Sequence, residues 1–337
     1  MKINNSSAFI VKLTTDNGIN YSNIALMLLS IIAAYIIPFE LFLFSYAVLG
    51  PLHYLTEISW LDKKNYFIKS KTDIWLFVLL AVFITVGLFY RESKTNNYIA
   101  SLLFLAFVYA LIIVIVEKPG LKVLLAFLAF TISLGLKTKA TIDLPFMIFA
   151  IWLPTIIHVY IFTGLFMLYG ALKTRSKSGI VSVIALIVCT LTFFIYTPAN
   201  IGIPVSNYGR EAYSFFTLLN KSLYQLFGYG TLYINDEVLY FGEKSIIVMR
   251  FIAFAYTYHY LNWFSKTTII KWNDISSKRM FIIIILWILS IMLYAFSYKI
   301  GFYALFLLSM LHVFFEFPLN YRSFIGIGQE VKAMLLK

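Results

Sequence analysis

Ten long apolar runs leave this chain little choice of architecture. They cover roughly 22–38, 40–61, 73–90, 97–116, 121–136, 143–171, 179–198, 246–264, 280–298 and 301–320. A helix needs about 20 apolar residues to cross the hydrocarbon core of a bilayer. Lipid offers no partner for a backbone N–H or C=O, so a spanning segment is a helix or part of a closed barrel. Barrel strands alternate polar and apolar residues, and these runs do not. The composition agrees, because a chain that is 61% hydrophobic and 12% charged does not fit a soluble domain. The expected fold is all-α: a polytopic transmembrane helical bundle of about ten spans, in a single integral membrane domain over 1–337.

Prolines punctuate the runs. Pro38, followed by Glu40, splits the first two into a tight helical hairpin. Pro119-Gly120 separates the fourth and fifth. The long sixth run carries Pro145 and Pro154, which predicts a kink or a tilted entry. The longest connection, 199–245, mixes Gly202, Pro204, Gly209, Gly228, Gly230 and Gly242 with many aromatics. It reads as an extracytoplasmic cap or interfacial segment with a helix near 211–227. A plain loop anchored by aromatics at the headgroups would look similar. The single cysteine, Cys189, excludes an intrachain disulfide. The polar first 21 residues lack a signal-peptide pattern, so the first run reads as a retained anchor.

The net charge of +12 does not point to nucleic acid. Its lysines and arginines lie in the short connections, which is the pattern that sets membrane orientation. With ten spans and a cytoplasmic N-terminus, 18 of the 27 fall on the cytoplasmic side and 8 on the other, with Arg250 inside a run. Both termini are therefore expected in the cytoplasm, in a multi-pass protein of the cell membrane (the inner membrane in a bacterium). Arg250, near the start of its run, is expected to snorkel. Glu40 and Glu117 read as solvated ends.

Only four histidines occur: His53, His158, His259 and His312. Each sits in an apolar run, where an imidazole is costly and by default marks function. They fall in spans two, six, eight and ten, which all run in the same direction. Each lies about 5 to 13 residues before the cytoplasmic end of its span, or about 8–20 Å at 1.5 Å per residue. Four imidazoles at similar depth could meet and hold a metal. Glu57 and Glu316 come four residues after His53 and His312, in HYLTE and HVFFE. That offset shares a helix face and suits a carboxylate that accepts the free imidazole N–H. These two are the candidate catalytic carboxylates, expected to orient His53 and His312. A lone membrane histidine often only packs by hydrogen bonding; four at matched depth favour a metal. Imidazoles without thiolate suit iron, zinc or copper. The 63 aromatic residues would suit a polyene or prenyl chain, although core packing also uses them. No GxGxxG, P-loop, CxxC or GxSxG motif appears.

These residues resemble the Brp/Blh family of bacterial and archaeal membrane β-carotene 15,15'-dioxygenases. That family opens with a Gly-Leu-Pro-His run and an acidic residue four later. Gly50-Pro51-Leu52-His53-Tyr54-Leu55-Thr56-Glu57 is similar, with Pro and Leu exchanged and Glu for Asp. Ile156-Ile157-His158, the aromatic run ending at His259, and the His312/Glu316 pair come in the family's order. The matches cover about a fifth of the chain. The family's third helix carries His-x3-His, whereas this chain has His259 and Trp263. The acidic residue expected after the second histidine is missing, and this chain has extra spans. The resemblance implies an Fe(II) oxygenase that uses dioxygen on a carotenoid or related apolar lipid entering from the bilayer, with retinal or another apocarotenal as product. Two other classes compete. One is another lipid-modifying enzyme, such as an acyltransferase with a histidine base or a hydroxylase or desaturase. The other is a transporter or accessory subunit whose histidines relay protons or pack helices.

Overall fold

The computed structural model describes residues 16–64, 73–89, 93–135, 144–198 and 201–336. The polar start at 1–15 and the connections carrying Lys69, Lys71, Arg91, Lys137 and Lys139 lie outside the described residues, so the charge count at those positions stays a sequence reading.

Every regular element among the described residues is helical. The helices are α1 (Asp16–Ile36), α2 (Pro38–Lys64), α3 (Asp73–Phe89), α4 (Ser93–Ile115), α5 (Pro119–Gly135), α6 (Leu144–Lys173) and α7 (Lys177–Ile195). Three short helices come next: α8 (Asn207–Tyr213), α9 (Thr217–Leu226) and α10 (Asp236–Phe241). The chain continues with α11 (Glu243–Ser265), a single turn at Thr267–Ile270, α12 (Ser277–Phe296) and α13 (Tyr298–Leu335). Each expected run holds a helix. Seven are long and apolar enough to cross a membrane: α1, α2, α4, α6, α7, α12 and α13. α3 and α5 are apolar but only 17 residues long. α11 is long enough but too polar for the same group.

The polarity of α11 is explained by its position. It buries 17 of its 23 residues, on every side, and packs against α1, α2, α6, α7, α9 and α10. A helix wrapped by other helices needs no lipid-compatible surface, so it can carry Arg250, Thr257, His259 and Asn262 in its interior stretch. Thr257 Oγ1 lies 2.8 Å from Ser45 Oγ of α2, and Tyr260 Oη lies 3.0 Å from Tyr54 Oη.

Two helices depart from α geometry where proline removes a backbone donor. α2 widens into a π turn at Ser45–Leu49, just before Pro51. α6 is π-helical over Met147–Phe162, around Pro154. The π stretch surrounds Pro154, one of the two prolines from which a kink or a tilted entry is expected. A π register inserts residues into the helical face and re-aims the side chains of the next turns, a device frequent at functional sites. His53 lies just beyond the first π turn, and His158 lies within the second π stretch.

The connection after α7 is ordered over 201–242. Its expected single helix near 211–227 is two, α8 and α9, broken at Ser214–Phe216, with α10 behind. Ser206 and Asn235 cap α8 and α10 by accepting from the backbone N–H of Gly209 and Val238. Tyr213, Leu223 and Leu239 pack inward. The segment seals one end of the bundle. Glu40 is not simply solvated there: its Oε1 accepts from Ser206 N at 3.0 Å. Nor does Arg250 reach for solvent. It is 4% exposed, donates to the Ile201 carbonyl at 2.6 Å and lies 4.8 Å over the Tyr35 ring. At the opposite end, ion pairs join Lys63 to Asp274, Arg279 to Asp62, and Arg175 to Glu330.

Candidate metal centre

α2, α6, α11 and α13 bring the four histidines to one buried place. His53, His158, His259 and His312 are each no more than 6% exposed. Two pairs of Nε2 atoms meet: His53 with His259 at 3.1 Å, and His158 with His312 at 3.0 Å. The rings of His158 and His259 are 5.2 Å apart, as are those of His53 and His312, so the pairs close into one ring of four. Two sets of donor atoms fall within 4.8 Å of one another and could hold an ion: His53, His259 and His312, and His158, His312 and Glu316. His312 belongs to both.

Second contacts fix how each imidazole presents itself. His312 Nδ1 lies 2.8 Å from the Ser309 carbonyl, which can only accept. Nδ1 therefore carries the proton, and a neutral His312 shows a lone pair at Nε2. His259 Nδ1 is 2.7 Å from Thr163 Oγ1. Tyr54 stacks on His312, with ring centroids 4.2 Å apart.

The carboxylates depart from the sequence expectation. Glu316 does not face His312. Its Oε2 is 3.2 Å from His158 Nδ1, although the two are not aligned for a hydrogen bond. His312 has already spent its Nδ1–H on its own helix, and Glu316, one turn on, leans across to α6. Glu57 does face His53, but at Nε2 and not at the free Nδ1: its Oε2 is 3.1 Å from the nitrogen that also faces His259. His53 Nδ1 has no hydrogen-bond partner. Glu57 thus stands beside the cluster, at 2% exposure, and not behind it.

The donor set fits a metal. A proton on His158 Nδ1, facing Glu316, leaves the Nε2 lone pairs of His158 and His312 opposed across 3.0 Å. A cation relieves that repulsion. Nitrogens bound to one ion at about 2.0–2.1 Å stand roughly 3.0–3.4 Å apart, depending on the angle between them. Both pairs have that spacing. Four neutral imidazoles beside two carboxylates are an intermediate donor set, at home with Fe, Zn or Cu.

Trp263 lies one turn after His259 on α11. Its indole N–H donates to Thr56 Oγ1 at 3.0 Å, and its ring packs edge-on against His53 at 5.4 Å. It braces His53 and supplies no ligand. Tyr54, Thr163 and Ser309 also belong to the site, and sequence reading passed over them. Tyr54 is adjacent to His53 in the chain and Ser309 lies one turn before His312, whereas nothing local marks Thr163.

An apolar cavity of about 260 Å³ reaches the cluster. His158, His259 and His312 form its polar end, with Tyr54, Tyr260, Phe216, Phe302 and Phe306 among its walls. Phe215, Phe216, Leu218 and Leu219 come from the ordered connection, so that segment closes over the site. Comparison with known proteins returns no match, whether to a family model, a curated protein or a solved structure.

Proposed function

We propose that this chain is a membrane metal-dependent oxygenase, with Fe(II) held by His53, His158, His259 and His312, acting on a carotenoid or related polyene lipid. The observation that carries the metal reading is the meeting of four buried Nε2 atoms from four helices in two pairs 3.0 and 3.1 Å apart. Bound iron would supply the activation of dioxygen. The chain's own residues supply the rest. The Ser309 carbonyl holds the tautomer of His312, and Thr163 holds the ring of His259. Glu316, with its Oε2 3.2 Å from His158 Nδ1, stands behind that ring. Glu57, with its Oε2 3.1 Å from His53 Nε2, stands beside the cluster and could exchange a proton with a group bound there. The aromatic walls of the cavity orient an apolar chain and keep water away from the reacting atoms. The choice of a polyene is supported by the GPLHYLTE segment and by the order of the histidine helices.

The same proposal includes ten spans, with α3, α5 and α11 completing the seven, both termini in the cytoplasm and α8–α10 outside. The charge asymmetry supports it. So does the segregation of the Lys63–Asp274, Arg279–Asp62 and Arg175–Glu330 pairs to one end.

The test begins with elemental analysis of purified protein. Wild type should carry iron, and His53→Ala, His158→Ala, His259→Ala and His312→Ala should each lose most of it while eluting as folded protein. Full occupancy in two or more of the four rejects a shared centre. Cells that make β-carotene should then lose colour and gain retinal on expression, and the His53→Ala variant should not do so. Metal with intact β-carotene keeps the centre and moves the reaction to lipid hydroxylation or desaturation. Absence of metal from wild type after loading leaves a histidine base, as in an acyltransferase.

A further inference from the structure

A second cavity, of about 520 Å³, lies at the lysine-rich end of the bundle, away from the histidines. Four cations from four elements line it: Lys64 at the end of α2, Lys173 at the end of α6, Lys266 just past α11, and Arg322 on α13. Among the described residues, no carboxylate lines it. This is not the general state of that end. Lys63, Arg175 and Arg279 each hold a carboxylate at 2.7–2.8 Å. Among the described residues, Lys64, Lys173 and Lys266 have no such partner.

Lys266 is the sharpest case. It is 9% exposed, and its ammonium lies 5.5 Å above the Phe166 ring, which eases its desolvation only in part. A buried cation without a counter-charge is costly, and a protein that keeps one usually has an anion to meet it. A second, independent observation lies in the same cavity. Ser182 of α7 lines it, is 1% exposed, and its hydroxyl has no hydrogen-bond partner. Trp60, Phe166 and Met167 form an apolar wall beside the charges. Clustered positive charge beside the free Ser182 hydroxyl suits a tetrahedral oxyanion that has several acceptor oxygens. A basic pocket between membrane helices with an apolar side also suits a phosphate that carries a hydrocarbon tail.

We propose that this cavity is a binding site for a phosphate group, gripped by Lys64, Lys173, Lys266 and Arg322 with Ser182 as an additional donor. The phosphate belongs either to an anionic lipid headgroup or to a soluble phosphate. The proposal is independent of the metal centre.

The experiment uses the full chain, folded by size-exclusion chromatography. In one arm, protein in nanodiscs of phosphatidylcholine with a minor share of phosphatidic acid is released and weighed by native mass spectrometry. In the other, inorganic phosphate is titrated into detergent-purified protein by calorimetry, with chloride as reference. Retention of phosphatidic acid over phosphatidylcholine, cut at least tenfold in Lys266→Met and reduced in Lys173→Met, identifies a lipid source. Saturable inorganic phosphate binding with the same dependence, and no lipid preference, identifies a soluble one. Lys278→Met, at an exposed lysine of the same end that does not line the cavity, should behave as wild type. Lys173 is exposed, so its variant guards against misreading a folding defect in Lys266→Met. The site is overturned if neither ligand is preferred over its reference. It is equally overturned if Lys266→Met and Lys173→Met bind as wild type does, or if Lys278→Met loses as much.

Discussion

The partner of Glu316 is where sequence and structure make different predictions, and a double-mutant cycle separates them. In the structure Glu316 Oε2 is 3.2 Å from His158 Nδ1, and His312 Nδ1 is engaged by the Ser309 carbonyl. A hydrogen bond to a charged group contributes ~1.5–3 kcal/mol when well formed. This contact is short but poorly aligned, so a coupling of about 1–2 kcal/mol is expected between Glu316→Gln and His158→Ala. Glu316 and His312 are also neighbours, one turn apart, but without a direct contact their coupling should stay near ~0.5 kcal/mol, where distinct sites begin to add. The assay is thermal unfolding of chelator-treated protein in detergent, so metal does not enter the cycle. Metal affinity, by competition with a chelator, gives the functional counterpart. Losing the acceptor behind a ligating imidazole costs ~10–100-fold. Glu316→Gln should cost that factor in wild type and much less once His158 is alanine. If Glu316→Gln instead couples strongly to His312→Ala and adds simply to His158→Ala, the offset of four residues chose the partner and the reading of the site is wrong.

The bundle and its ends carry further expected outcomes. Reporter fusions at Lys177 and Tyr229 should signal cytoplasm and the opposite side respectively; matching or reversed signals exclude the ten-span arrangement. Asp73 and Lys122 join α3 to α5 through a 2.6 Å pair with both side chains only 6% exposed. Asp73→Asn should cost ~3–5 kcal/mol by leaving a buried ammonium, and Asp73→Leu with Lys122→Met should recover most of it; thermal melts that show less than about 0.5 kcal/mol for the single change would refute a buried pair. Burial lowers the Lys266 ammonium to about 8. Phosphate retention should therefore be strongest below pH 8, with Lys64, Lys173 and Arg322 also facing the anion, and should weaken as pH rises past that value when calorimetry is repeated from neutral to alkaline pH. An anion in place would itself raise the Lys266 pKa, so the midpoint in saturating phosphate should lie above the one at trace phosphate.

The features legible in the residues were those that lipid and helix periodicity dictate. Apolar runs located ten helices because unpaired backbone groups cannot face hydrocarbon, and that rule acts on each segment alone. The histidines were legible as a set for the same reason, since each is expensive where it stands. The rest depended on the contacts of one helix with another. α11 carries His259 among Arg250, Thr257 and Asn262, and these residues are tolerable only because other helices surround them. The carboxylate roles show the limit most clearly. The i,i+4 rule put Glu57 and Glu316 on the faces of His53 and His312, and the structure sets Glu57 against His53 but Glu316 against His158. The rule could not say which ring nitrogen Glu57 would meet, because that depends on the rotamer of the His53 ring, which packs against His259 and Trp263 of another helix. Nor could it foresee that the backbone of α13 would satisfy His312 through Ser309 and free Glu316 for His158 on another helix. A backbone carbonyl leaves no mark in a sequence, yet here it decides which imidazole the acid serves. The same limit hid the basic cavity. Lys64, Lys173, Lys266 and Arg322 were counted as orienting charge, which is a sum over one side of the membrane. Packing splits that sum into cations that hold carboxylates, such as Lys63, Arg175 and Arg279, and cations that share the lining of one cavity.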